Sequence, residues 1–313
     1  CRGKKNLLII GPNITYFYNQ SLFLQAIEVF ASNINATVGY LTDFCNSTSG
    51  WILGNVPHRL PGGEKIKTSG YNTSQMLEGN LSTLLFFNLD PDNDFYNSSA
   101  LVNALQKSSC NIFFTSFTTP IIEKYADFII PITTYAETDG SYINIEGKFQ
   151  TFNKVIQADK FTFEGWQALN ELCRLNGFDN HSIASVRKDL VSLLTNIDFS
   201  KNKKIDNKTY PKNDKSIIHK NTLRHIYSTD QIVRRAKSLN QTNQAMNRKI
   251  FISKDLIEDN PNQKTLRIEE NEKVFKISDF QVKDDLPRKT IVYSSSFDNK
   301  FTESKSTFVS LKK

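Results

Sequence analysis

Apolar and polar positions along this chain follow two rhythms. Short unbroken apolar runs at 5–11, 36–41, 83–89, 111–115 and 128–132 have the length and the β-branched or aromatic content of buried strands. Between them the spacing turns helical: 21–32 puts Leu22, Leu24, Ile27, Val29 and Phe30 on one side of a helix, and Ser98–Lys107 reads as another. Buried strands separated by helices predict an α/β fold with a doubly wound, mostly parallel sheet, covered on both faces and joined by right-handed crossovers. Helices are also expected from Glu164-Gly165-Trp166 through Asn176 and across 183–194, which closes an α/β domain over 1–199.

The rhythm then breaks. Residues 200–222 are rich in Lys, Asn and Asp without periodicity and read as a linker or exposed loop. A helix is expected over 227–246 behind a Ser228 or Thr229 cap, with Asp230 favourably placed near its N-terminus. Alternating runs at 265–268, 274–277, 290–293 and 308–311 add a small β domain, so that 223–313 forms a C-terminal region of helix plus strands. The last 15 residues are expected to be disordered.

The most particular stretch is 123–152. Phe128-Ile129-Ile130-Pro131-Ile132 is one strand with a proline at its rim, and Glu137-Thr138-Asp139-Gly140 supplies a turn in which Gly140 is expected to take a positive φ. Ser141-Tyr142-Ile143-Asn144-Ile145 alternates, Glu146-Gly147-Lys148 makes a second turn, and Phe149 and Phe152 are apolar anchors after it.

On these residues the segment resembles the molybdopterin oxidoreductase family. The match is carried by Ala126, Asp127, Pro131, Glu137, Gly140, Tyr142, Asn144, Glu146, Gly147 and Gln150, with Ser141 where the family has Thr and Lys148 where it has Arg. A second block, Ile226 to Thr242, resembles the "Tyr-Ser, Asp, Val-Arg-Arg-Ala, Ser-Leu-Gln, Thr" segment of the large iron–sulfur subunit of NADH-quinone oxidoreductase (respiratory complex I). It contributes Arg234 and Arg235. A looser likeness joins Asn46-Ser47-Thr48-Ser49-Gly50 to Leu53-Gly54-Asn55-Val56-Pro57.

The resemblance implies a structural portion of that large subunit, an oxidoreductase component with no catalytic, cofactor-binding or metal-binding residue of its own. The residues Asp127, Pro131, Glu137, Gly140, Asn144, Glu146, Gly147, Gln150, Arg234 and Arg235 would then be family-motif positions with structural roles. Iron–sulfur clusters would belong to a cysteine-rich N-terminal region missing from this sequence, and molybdopterin would have been lost. The implied partners are the other peripheral-arm subunits of complex I. The implied place is the cytoplasmic face of the bacterial inner membrane, or the matrix side of the mitochondrial one, with membrane contact only through the complex. The alternative implied by the same resemblance is the C-terminal half of a true molybdopterin-dependent oxidoreductase, and in that family a β-barrel occupies the place of the C-terminal strands.

Composition narrows the alternatives. Residues 1–200 carry 14 Lys and Arg against 18 Asp and Glu, whereas 201–313 carry 25 against 14, so the net charge of +7 is entirely C-terminal. Asn, Ile, Lys, Phe and Tyr rise together, and acidic residues interleave through 255–285. This reads as compositional bias and not as a nucleic-acid surface. No apolar run approaches membrane-spanning length, and the opening Cys1-Arg2-Gly3-Lys4-Lys5 lacks both signal-peptide shape and initiator Met, as in a fragment or processed chain. Cys1, Cys45, Cys110 and Cys173 form no CxxC or cluster signature.

Candidate chemistry is sparse. Gly11-Pro12-Asn13 after a strand lacks the glycine spacing of a nucleotide loop and reads as a turn. Asp90-Pro91-Asp92-Asn93-Asp94 follows a strand end, where a divalent cation is conceivable, but it lacks EF-hand spacing. His58, His181, His219 and His225 share no ligand spacing, and Glu137, Asp139 and Glu146 read as turn builders in preference to a general acid and base.

Overall fold

The computed structural model describes residues 3, 5–12, 14, 20–95, 98–197, 218–223, 226–246, 250–258, 262, 264–270, 273–294 and 308–311. In chain order the first half runs β1 (Asn6–Ile10), α1 (Gln20–Asn33), β2 (Ala36–Tyr40), α2 (Ser47–Ile52), α3 (Thr73–Glu78), β3 (Thr83–Phe87), α4 (Ser98–Lys107) and β4 (Cys110–Thr115). It continues through α5 (Pro120–Tyr125), β5 (Phe128–Pro131), β6 (Gly140–Ile143), β7 (Phe149–Phe152), α6 (Gly165–Leu175) and α7 (Ile183–Thr195). The second half holds β8 (Ile218–Leu223), α8 (Gln231–Arg235), α9 (Lys237–Asn240), α10 (Asn243–Met246), β9 (Ile250–Ser253), β10 (Leu266–Glu270), β11 (Lys273–Ile277), β12 (Phe280–Lys283), β13 (Thr290–Ser294) and β14 (Phe308–Leu311). The fold is α/β with parallel strands, followed by a small β-rich C-terminal region, as the pattern predicts.

The chain divides into two compact units, and the division is not the contiguous one expected. One unit comprises 1–88, 107–116 and 126–209; the other comprises 89–106, 117–125 and 210–313. The loop after β3 and most of α4 and α5 therefore group with the C-terminal half.

In the first unit, β1 pairs in parallel with β2, and β3, β4 and β5 form a parallel sheet in that order. Phe86 stacks on Phe113, with ring centroids 4.5 Å apart, along the β3–β4 register. On the opposite face Phe114, Ile132 and Ala168 form a buried cluster with Phe87, Ile112, Ile130 and Leu172, which ties α6 to the sheet. Each large side chain so buried contributes about 1.5–3 kcal/mol by leaving water. Cover on both faces, however, is incomplete. Burial along β1 alternates, leaving Leu7 65% and Ile9 58% exposed, because β1 pairs only with β2 among the described strands and α1 packs against β2.

The C-terminal unit is built on a seven-stranded mixed sheet in the order β11-β10-β14-β8-β13-β9-β12. Its core is almost wholly branched aliphatic: Ile218, Ile252, Leu256, Ile257, Leu266, Ile268, Ile277 and Ile291 are buried together. The hydrogen-bonded order has β11 and β12 as its end strands, where the resemblance implies a barrel. β8 begins at Ile218, inside the stretch expected to be linker, whose earlier part to 217 lies outside the described residues. Of the last 15 residues, expected to be disordered, only β14 is described, and it pairs with β10 and β8.

The single helix expected over 227–246 is instead a 3-10 turn at Ile226–Ser228 and three short helices, α8 to α10. Asp230 itself is the cap, accepting from the backbone N–H of Ile232 and Val233 at 2.8 and 3.0 Å. The break falls at Ala236, whose ψ of 96° is extended. There the Asn240 amide donates to the carbonyls of Val233, Arg234 and Ala236, the first and last of which also accept the backbone N–H of Ala236 and of Asn240.

Candidate functional site

Within the first unit the 123–152 segment folds into a strand, a turn and a hairpin, each fastened by its own polar side chains. Asp127 accepts the Asn111 N–H at 2.7 Å and returns its own N–H to the Asn111 carbonyl at 2.9 Å, fixing the start of β5 on β4. Pro131 closes β5, and its carbonyl accepts from Phe163 N–H at 3.2 Å on the side where the proline ring removes no needed donor.

The β6–β7 hairpin is held by Asn144, whose side-chain oxygen accepts from Glu146 and Lys148 N–H at 3.0 and 2.9 Å. Glu146 in turn accepts from the Asn144 amide at 3.4 Å. Gly147 has φ 77°, the left-handed conformation the tight return requires. Gly140 does not. It lies in β6 opposite Phe152, with no left-handed φ, and a Cβ there would run into the Phe152 ring. The glycine is needed for close approach, not for a turn.

Contacts that the sequence left out hold this hairpin from two sides. The Asn46 side chain accepts the Ile143 N–H at 3.0 Å, so the loosely matched block at 46–50 touches the strongly matched one. Arg187, from α7, donates to the Gly140 carbonyl at 2.9 Å and to Ser141 Oγ at 3.1 Å. Beside the hairpin a cleft of about 350 Å³ is lined by Tyr135, Tyr142, Gln150, Thr151 and Phe152, with the Tyr142 and Phe152 rings 4.8 Å apart.

Glu137 and Asp139 do not face each other as an acid and base. Glu137 Oε2 accepts from the N–H and hydroxyl of Thr134 at 3.0 and 2.8 Å, while Asp139 Oδ1 accepts the Lys154 N–H at 2.8 Å. The carboxylate that gathers this region is Glu164, 8% exposed, which the sequence marked only as the start of a helix. Its Oε2 accepts from Thr138 Oγ1 at 2.9 Å, Asp139 N–H at 3.2 Å and Trp166 Nε1 at 2.9 Å, and its Oε1 accepts from Lys154 Nζ at 3.0 Å. Burial pushes the Glu164 carboxyl up, but these bonds outweigh it and hold the group below the usual carboxylate value. The Lys154 ammonium is raised by its hydrogen bond to Glu164 and by that carboxylate's charge.

The C-terminal unit contains a second polar centre. The Asp90–Asp94 loop, conceivable from sequence as a cation site, is occupied by the chain's own arginine. Arg234 Nη1 lies 3.2 Å from Asp90 Oδ2, its Nη2 2.6 Å from Asp94 Oδ1, and its Nε donates to the Ser228 carbonyl at 2.7 Å. Asp90 is 2% exposed and the Arg234 side chain 12%. The loop is further closed on itself, since Asp90 accepts from the Asp92 N–H and the Asn93 amide and donates its N–H to Asp94. Arg235 donates to the Gln231 carbonyl at 2.9 Å and lies over the Phe117 ring, 4.3 Å from its centroid.

The remaining candidates do not converge. Gly11 follows β1 in a turn closed by the Ile14 N–H, with Asn13 outside the described residues. His58 meets Trp51 edge-on, His181 takes its backbone N–H to Asn170, and His219 lies in β8; His225 is outside the described residues. Cys45, Cys110 and Cys173 are thiols in no disulfide. Among the described residues no group of three His, Cys, Asp or Glu side chains could hold a metal ion, and no helix is long and apolar enough to cross a membrane.

Parallel α/β strands leading into a motif-built hairpin, with a β-rich region after it, define the class of protein. Within that class the chain belongs to the molybdopterin oxidoreductase family, whose description matches residues 2–175. Among solved structures the chain is similar to the acetylene hydratase from Pelobacter acetylenicus, with a TM-score of 0.48 and 13% identity. The likeness covers 80% of this chain and 43% of that one, so the chain spans less than half of that protein's length. No curated protein matches it.

The family name implies a molybdenum–pterin group. In the 123–152 segment one carboxylate oxygen of each of Asp127, Glu137 and Glu146, and the side-chain oxygen of Asn144, accept from donors of this chain.

Proposed function

We propose that this chain is the non-catalytic scaffold portion of the large iron–sulfur subunit of an NADH-quinone oxidoreductase of the complex I type. The observation that carries the reading is the use to which the 226–242 block is put. Ser228, Asp230, Arg234, Arg235 and Asn240 build a broken helix that delivers the Arg234 guanidinium to two aspartates and sets Arg235 3.7 Å from one of them, an architectural task with no reacting group in it. The family-motif residues of the hairpin support it, because their hydrogen bonds are likewise spent within the chain.

In this reading NADH oxidation and quinone reduction belong to the whole assembly, with electrons carried by clusters outside these residues. The chain's contribution is a framework for the peripheral-arm subunits, reaching the membrane only through them, on the cytoplasmic or matrix side. A second reading, the C-terminal half of a molybdopterin-dependent oxidoreductase, is favoured by family membership itself.

One purification separates the two. The full-length protein, isolated from its source with its partners, is analysed for molybdenum, tungsten and pterin and assayed for NADH oxidation. Co-purification in a large NADH-oxidising membrane assembly without stoichiometric metal or pterin is the expected result. Stoichiometric molybdenum or tungsten with pterin overturns the scaffold reading in favour of the second.

A further inference from the structure

We infer that Glu164 is a positioning residue: its carboxylate gathers the turn 134–139, the chain after β7 and the first turn of α6, and so sets the wall of the aromatic cleft that carries Tyr135. Three separate stretches converge on it, through Thr138 and Asp139, through Lys154, and through Trp166. Tyr135 sits between residues held on either side. Thr134 is fastened to Glu137, and the Ala136 carbonyl accepts from the N–H groups of Val155 and Ile156 at 2.9 and 3.1 Å. With Thr138 and Asp139 anchored to Glu164, the turn has few conformations left, and Tyr135 is presented to the cleft beside Tyr142, Gln150, Thr151 and Phe152.

The chemistry demands the ionised carboxylate. Both oxygens receive donors, three on one and an ammonium on the other, and only an acceptor-only group satisfies both sides. Glutamine would turn an NH₂ toward either Lys154 or the three-donor side, and protonation would place an O–H against donors in the same way. The charged groups around Glu164 are the Lys154 ammonium and the Asp139 carboxylate, the latter occupied by the Lys154 N–H; Thr138 and Trp166 bring no charge. The wall of the cleft is therefore set by one protonation state.

The test uses the full chain with Trp51→Phe, which leaves Trp166 as the only tryptophan. Trp166 emission is titrated from neutral to acid pH, and hydrogen exchange is followed in peptides covering 134–142. The parent is expected to show an emission transition below the ordinary carboxylate range. Glu164→Gln is expected to lose that transition and to exchange at 134–142 on the order of tenfold faster at neutral pH. Lys154→Met, which removes one of the donors that hold the carboxyl down, is expected to move the transition to higher pH; Asp139→Asn is expected to retain it. A Glu164→Gln protein that titrates and exchanges like the parent overturns the assignment. So does a Lys154→Met protein with an unmoved transition, a readout that stands even if Glu164→Gln fails to fold.

Discussion

The two polar centres of this protein solve opposite problems. Around Glu164 an anion is buried among neutral donors and one partly exposed lysine, all drawn from residues 138–166. Around Arg234 a cation is buried against two aspartates that lie 140 and 144 residues away in sequence. The first centre is local, while the second holds together distant stretches of chain through a guanidinium. Local centres shape a turn; long-range centres decide which elements belong to the same unit. The grouping of the 89–106 and 117–125 stretches with the C-terminal half accords with the second kind.

The two centres part most clearly when the arginine is removed. Arg234→Met leaves Asp94 without its arginine and Asp90 with only the Arg235 guanidinium at 3.7 Å, and is expected to cost about 3 kcal/mol in urea denaturation followed by circular dichroism. Arg234→Lys should recover only part of this, since a lysine ammonium cannot span both carboxylates as the guanidinium does. An unchanged midpoint for Arg234→Met would show that the clamp holds nothing.

Glu164→Gln comes next. Unpairing donors on one side of the carboxylate is expected to cost about 1–3 kcal/mol at neutral pH. The sign of its pH dependence follows from the lowered carboxyl: the stabilisation is complete above the unfolded value of about 4.3 and is lost as pH falls through the lower folded value. Parent and variant stabilities should therefore converge on acidification.

The two hairpin glycines should give smaller losses, each for its own reason. Gly147→Ala must place a side chain at φ 77° and is expected to lose about 1–2 kcal/mol whatever surrounds it. Gly140→Ala should also destabilise, but its additional cost should vanish in a Phe152→Ala background, because there the obstacle is a ring and not the backbone. Equal costs for Gly140→Ala in both backgrounds would refute the steric explanation. Smallest is Asn240→Ala, expected at about 1 kcal/mol from the side-chain hydrogen bonds lost at the 236 break, read as a shift in thermal midpoint.

Most elements of the first half of the sequence were legible because their signals are local. The apolar runs at 83–89, 111–115 and 128–132 became β3, β4 and β5, and the helices at 98–107 and 183–194 appeared almost at the expected bounds. Asn144 and Gly147 announced their hairpin for the same reason, since an asparagine that bonds its own turn and a glycine that takes a positive φ need nothing from elsewhere. Gly140 was misread because its constraint comes from Phe152, twelve residues on, which only the strand register brings opposite.

The 227–246 helix was misread because Asn240 folds back onto carbonyls that propensity alone assigns to the helix ladder. Glu164 passed for an ordinary helix start, although a glutamate followed by Gly165-Trp166 and preceded by Lys154 offered some hint of a buried acceptor. Arg187, Asn46 and the Asp90–Arg234 pairing carried no hint of their partners.

The kind of local structure and the family motif were written in the order of residues, because helix and strand periodicity, proline placement and turn chemistry act within a few positions. Which polar groups answer one another was settled only in three dimensions. Burying a charge is tolerable only where partners converge on it, and that convergence is a property of how strands register and helices break, not of spacing along the chain.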